Sequence, residues 1–175
     1  MRNLTWNSNI VAWKVKGKSI QINLSNIISA SINDEGVIIK CGKDFVEKQS
    51  YLYTDDGELI FKYDINLKEI FWLVNQNKLS LSNVNFIQAL YIPKDNLIAL
   101  LESDTILLGF DLDGIKKFET TVDSGYKFAY ITENKNQLVV VCEGYVEHFE
   151  PFGRNRINFN VDRITGRITR LGIAY

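Results

Sequence analysis

The sequence predicts an all-β fold built of antiparallel four-strand meanders, and three observations predict it. A strand–turn–strand pattern at Tyr51–Tyr63 returns at Ile106–Phe118 and, more loosely, at Tyr145–Phe159. Each of these hairpins follows another whose turn falls at Asp34–Gly36, Pro93–Asn96 or Glu133–Asn136. Between the turns the chain runs in short β-branched and aromatic segments, which suit the pleated surface of a sheet.

The elements follow in order. Ile10–Val15 and Ser19–Leu24 flank Lys16-Gly17-Lys18 and read as a hairpin ahead of the repeat. A first unit, about residues 27–64, opens with Ile27–Asn33, turns, and continues as Val37–Cys41 before the Tyr51 hairpin. A second, about 87–119, runs Ile87–Ile92, then Leu97–Leu101, then its own hairpin. A third, about 127–161, runs Lys127–Thr132, then Gln137–Cys142, then the looser copy. Asn, Asp and Gly in the turns tolerate the positive φ that tight hairpins require. The second strand of every unit is nearly all apolar, as a strand buried on both faces would be.

The turn markers Gly36, Asn96 and Asn136 are 60 and then 40 residues apart, so residues 65–86 form an insertion or an irregular fragment. Asn66–Glu69 resembles a helix start, with Leu67, Ile70, Phe71 and Val74 at helical spacing. Ile70–Val74 also makes a good strand, and strand is the preferred reading.

Four-strand units repeated around an axis are β-propeller blades, so the expected architecture is a small or incomplete β-propeller-like array. By pattern, residues 27–160 resemble bacterial β-propeller-type repeat proteins whose blades carry a Tyr-x-Tyr-x-x-x-Gly-x-x-x-Trp/Phe hairpin. Neither a WD dipeptide nor a kelch glycine pair is present. Closing a ring would need more than three units. The N-terminal hairpin is expected to supply half of another blade, with Arg167–Leu171 joining it. Otherwise the sheet edges stay open or pair with a second copy, making a homo-oligomer.

A chain of 175 residues fits a single domain with a real core, and 46% hydrophobic content fits a folded protein. A net charge of −1 gives the whole chain no electrostatic signature for nucleic acid or membrane. No apolar run approaches bilayer length, and the polar residues among the first ten argue against a signal peptide. Cys41 and Cys142 lie in apolar β-branched surroundings and read as buried reduced thiols. The expectation is a cytoplasmic protein.

Catalytic chemistry has little to stand on. His148 is the single histidine, set in the alternating segment Tyr145–Glu150, so no two-histidine metal site is expected. No nucleophile-elbow, phosphate-loop or dinucleotide glycine pattern occurs, and no carboxylate pair is singled out by spacing. The expectation is a non-enzyme without cofactor or metal.

Carboxylates gather at the turns as Asp34 and Glu35, then Asp55, Asp56 and Glu58, then Asp111 and Asp113. Asp111–Gly114 carries a fragment of a calcium loop but lacks its later ligands, and side-chain-to-backbone turn formation explains it. Turns sharing one rim would make an acidic, protein-binding patch of Asp34, Glu35, Asp55, Asp56, Asp111 and Asp113, suited to a basic partner.

The arginines point the other way. All but Arg2 lie late in the chain, at Arg154, Arg156, Arg163, Arg167 and Arg170, and Asp162 is the sole acid after Pro151. Arg156, Asn158, Asn160 and Asp162 alternate with Ile157, Phe159 and Val161, which makes one polar strand face. Arginine binds phosphate and carboxylate bidentately, so this face is an alternative site for nucleic acid or an anionic ligand. A solvated sheet edge paired with the acidic turns is the simpler reading. Trp6, Trp13 and Trp72 lie where the repeat fits worst, and read as core plugs or, where exposed, as interface anchors.

The function expected is a non-catalytic protein-binding module. In style, as a small acidic-looped chain without motifs, it resembles bacterial immunity-type proteins, which neutralise toxins by occlusion. That resemblance implies a basic toxin domain as partner.

Overall fold

The structure, a computed structural model, describes residues 3–134, 136–145, 147 and 155–174. Among them every long element is a strand, and the strands form four antiparallel sheets. No helix among the described residues is long and apolar enough to cross a membrane. Contacts divide the chain into two compact units, Met1–Asn83 and Val84–Tyr175.

In the first unit, β1 (Leu4–Trp6), β2 (Ile10–Val15) and β3 (Lys18–Asn23) make a three-stranded sheet. A six-stranded meander follows: β4 (Ile27–Ile32), β5 (Val37–Lys43), β6 (Val46–Tyr53), β7 (Leu59–Asp64), β8 (Glu69–Val74) and β9 (Asn77–Ser82). Residues 65–86 thus supply two further strands, because Ile70 and Trp72 turn a period-2 apolar face to the interior while Phe71 and Leu73 remain half-exposed. Val11 and Trp13 of β2 pack with Ile27, Val37, Ile39, Cys41, Tyr51 and Tyr53, so the small sheet shares one core with the large one. Trp72 is also buried, whereas Trp6 stands exposed on the edge strand β1.

In the second unit, β10 (Gln88–Ile92), β11 (Leu97–Leu101), β12 (Ile106–Phe110) and β13 (Lys116–Thr121) make one four-stranded sheet. The other consists of β14 (Tyr126–Asn134), β15 (Gln137–Gly144), β16 (Arg156–Val161) and β17 (Ile168–Ile173). Every residue of β11 is buried, as its unbroken apolar run predicts. The first strands of the two sheets lie against one another, β10 beside β14. Leu97, Leu101, Phe128, Ile131, Val140 and Phe159 fill the core they share.

Two expectations require correction. The hairpin read at Tyr145–Phe159 is displaced by one strand. β15 pairs directly with β16, from Leu138 opposite Val161 to Glu143 opposite Arg156, and the Gly144 N–H donates to the Asn155 carbonyl at 2.7 Å. The segment expected to form the first half of that hairpin, Tyr145–Glu150, falls largely outside the described residues, His148 included, as does Pro151. The C-terminal strand does not join the N-terminal hairpin either. β17 is the fourth strand of its own sheet, with Val161 opposite Ile168. The displacement frees Ile168–Ile173 for that position.

Candidate functional site

In a meander, alternate turns lie at alternate ends. The β4–β5 turn with Asp34 and Glu35 and the β6–β7 turn with Asp55, Asp56 and Glu58 therefore share one end of the six-stranded sheet. Their proximity is tight, since a Cβ on Gly36 would lie 2.0 Å from the Tyr53 carbonyl oxygen. The turn backbones are fixed by neighbours of the acids. Asn33 Oδ1 accepts from the Glu35 and Gly36 N–H groups at 3.0 Å, and Thr54 Oγ1 accepts from Glu58 N at 3.0 Å. Trp13 Nε1 donates to the Asp55 carbonyl at 2.7 Å. These bonds leave Asp34, Asp56 and Glu58 exposed on a fixed frame.

The acid is not unbroken. Trp13 touches this turn, as Ile20 does at Gly57, and both belong to the hairpin that carries Lys14, Lys16 and Lys18. Asp111 and Asp113 belong to the other unit, so the expected six-residue acidic set divides between units. Asp111 builds its own turn, with Oδ1 accepting from Asp113 N at 3.1 Å and Ile115 N at 2.8 Å. Asp113 is exposed beside it.

The arginines are not brought to one face. Arg156 donates twice to a single carboxylate oxygen, Glu143 Oε1, at 3.0 Å from Nε and 2.7 Å from Nη2. Hydrogen bonds from Arg156 and from Lys127 hold the Glu143 carboxyl below the ordinary carboxylate range. Arg163 reaches Asp95, Glu133 at 3.1 Å and the Asn136 carbonyl at 2.8 Å, with its side chain only 16% exposed. Burial pulls its guanidinium below the usual value. Arg170 is opposite Phe159 and so lies on the face away from Arg156. Arg167 is exposed at the entry to β17, and Arg154 lies outside the described residues.

Asp162, Arg163, Asn136 and Asp95 instead line a groove of about 460 Å³ at the rim of the second unit. Hydrogen bonds from the Thr165 and Ile164 backbones and the Thr165 hydroxyl lower the Asp162 pKa, which makes it a turn former like Asp111. Among the described residues no group of His, Cys, Asp and Glu side chains is placed to hold a metal ion. Both thiols are free and buried, with burial raising Cys41 to about 11 and Cys142 to about 12.

One set of residues escaped the sequence reading. At the opposite end of the six-stranded sheet, Phe45 is 89% exposed at the tip of the β5–β6 hairpin, next to Val46. Leu67, 60% exposed, tips the neighbouring β7–β8 turn. Asp44 and Phe45 both take positive φ, 52° and 61°, as a two-residue primed turn demands. That conformation suits Asp and is unusual for a bulky aromatic residue. Beside the tips lies a polar pocket of about 150 Å³ lined by Ser25, Asn26, Lys43, Lys48, Gln49 and Asn66, with Cys41 at its wall. The signal available in the sequence was an aromatic residue at the point where two strand patterns meet without a glycine.

No protein-family model matches the chain, and no curated protein matches it significantly.

Proposed function

We propose that the chain is a non-catalytic protein-binding module, a small or incomplete β-propeller-like array whose turns form the contact surface. The antiparallel four-strand sheets of the second unit, with first strands adjacent, support the propeller-like reading. The observation that carries the functional reading is the pair of neighbouring turns at one end of the six-stranded sheet. There Asp34, Glu35, Asp56 and Glu58 project from backbones already fixed by Asn33, Thr54 and Trp13. A preorganised rim of carboxylates loses little conformational freedom on binding and steers a basic surface towards it.

The partner class is a basic protein face, and the mode is occlusion. A toxin whose catalytic cleft is basic would be neutralised by burial of that cleft under the turns, the immunity-type role. Lys14, Lys16 and Lys18 on the adjoining hairpin limit the patch and would set its orientation by repelling a misdocked basic partner.

The test is affinity capture from cells that make the protein, with nuclease treatment, comparing the natural chain with an Asp34→Lys/Asp56→Lys/Glu58→Lys variant. A protein at near-equal amount, retained after nuclease and lost with the variant, is the expected result. Recovery of nucleic acid, or capture unchanged by the reversal, overturns the reading.

A further inference from the structure

The end of the first unit away from the acidic turns combines features that the proposed function leaves unused. Lys43 and Lys48 line the pocket beside the Phe45 tip, and neither forms an ion pair among the described residues, whereas Lys40, Lys94, Lys116 and Lys127 all do. The other polar lining groups are the Ser25 hydroxyl and the amides of Asn26, Gln49 and Asn66, so no carboxylate lines the pocket. Asp64 lies buried near it, with its charge already met by Gln49 Nε2 at 2.5 Å and the N–H groups of Asn66 and Leu67 at 3.0 and 3.1 Å.

We propose that this end of the sheet is a docking surface for an acidic, apolar protein segment, whose carboxylate enters the pocket between Lys43 and Lys48 while Phe45, Val46 and Leu67 pack on its apolar side chains. Charge complementarity selects the carboxylate. Size argues against a free metabolite, since about 150 Å³ is well below the roughly 300–1,000 Å³ of small-molecule sites. A lipid surface fits less well. Lys43, Lys48 and Lys68 are offset at the same tips by Asp44 and Glu69, whereas anionic membranes recruit clusters of about 4–8 basic residues. An aromatic residue held outward on a two-residue turn is the geometry of an interface anchor. The surface stands independently of the acidic turns, because the two ends select peptides of opposite charge.

A random-peptide display library panned against the full chain tests this, with parallel panning of Lys43→Glu/Lys48→Glu and Phe45→Asn variants. Asparagine tolerates the positive φ at position 45, so that variant keeps the hairpin. The expected result is enrichment of peptides that place Asp or Glu beside Leu, Ile or Phe, with binding weakened about tenfold or more in both variants. Amide shifts on titrating the enriched peptide should map to Asn26, Lys43–Lys48 and Asn66–Lys68. Enrichment of basic peptides, no enrichment, equal binding by the variants, or shifts at Asp34 and Asp56 would overturn the proposal. So would binding to phosphatidylserine vesicles without any peptide selected.

Discussion

The side-chain amide of Gln88 pairs with both backbone groups of Ile131, accepting its N–H at 2.7 Å and donating to its carbonyl at 2.9 Å. Gln88 begins β10 and Ile131 lies in β14, so one side chain stitches the first strands of two sheets as a neighbouring strand would. Removing it leaves two partly buried backbone groups without partners. Gln88→Ala is expected to destabilise the second unit by about 1–3 kcal/mol in urea unfolding. Amide exchange at Ile131 should accelerate at the same time. A change within about 0.5 kcal/mol, the range of an ordinary surface substitution, would show the stitch to be dispensable.

Arg163 joins Asp95, in the turn between β10 and β11, to Glu133 of β14, while Lys94 adds a second cation beside Glu133 and Asn136. Breaking a buried pair by removing one partner costs about 3–5 kcal/mol, and the partial exposure of both carboxylates reduces that. Arg163→Ala should lower stability by roughly 1–3 kcal/mol. A change within about 0.5 kcal/mol would show that the two carboxylates do not depend on Arg163.

Phe45 carries a conformational cost in the free protein. Its φ of 61° belongs to the left-handed region, and its ring is exposed, so folding recovers little by burying it. Phe45→Asn or Phe45→Gly should raise stability by about 0.5–1 kcal/mol while removing the proposed anchor. Destabilisation by both substitutions would mean that the ring makes contacts which support the hairpin.

The two thiols give a pH dependence of defined sign. Burial raises Cys41 to about 11 and Cys142 to about 12, whereas an unfolded thiol ionises near about 8.5. Their contribution is fully present below about pH 8.5 and is lost as pH rises towards the folded values. Stability should therefore decline in alkaline solution. A thiol reagent at pH 7.5 should modify neither cysteine in the folded chain and both after unfolding. Glu143 works in the opposite direction. Its lowered pKa favours the fold above about pH 4.3, and that small contribution disappears as pH falls.

Much of the fold was legible because its turns are chemically marked. Asn33 and Gly36, then Asn96, then Asp111 and Gly114 sit where positive φ or side-chain-to-backbone bonds close a hairpin, and the strands between them follow. The third unit slipped because Tyr145–Glu150 alternates like a strand, and alternation reports period rather than partner. The partners of the arginines were hidden for a related reason. Register along β16 was readable, but Glu143, Asp95 and Glu133, which engage Arg156 and Arg163, are distant in sequence. Carboxylates at turns were visible as a list, yet only sheet order shows that Asp34 and Asp56 share an end and that Asp111 belongs to another unit. Phe45 was hidden within a segment that reads as strand on both sides.

Binding of a basic protein face by the Asp34, Asp56 and Glu58 turns is tested by the association rate of the captured partner as a function of salt. The natural chain is expected to associate fast at low salt and to slow steeply as salt is added. The triply reversed variant should start slow and lose that dependence. Equal rates and equal salt slopes for the two proteins would contradict the claim and move the contact surface away from these turns.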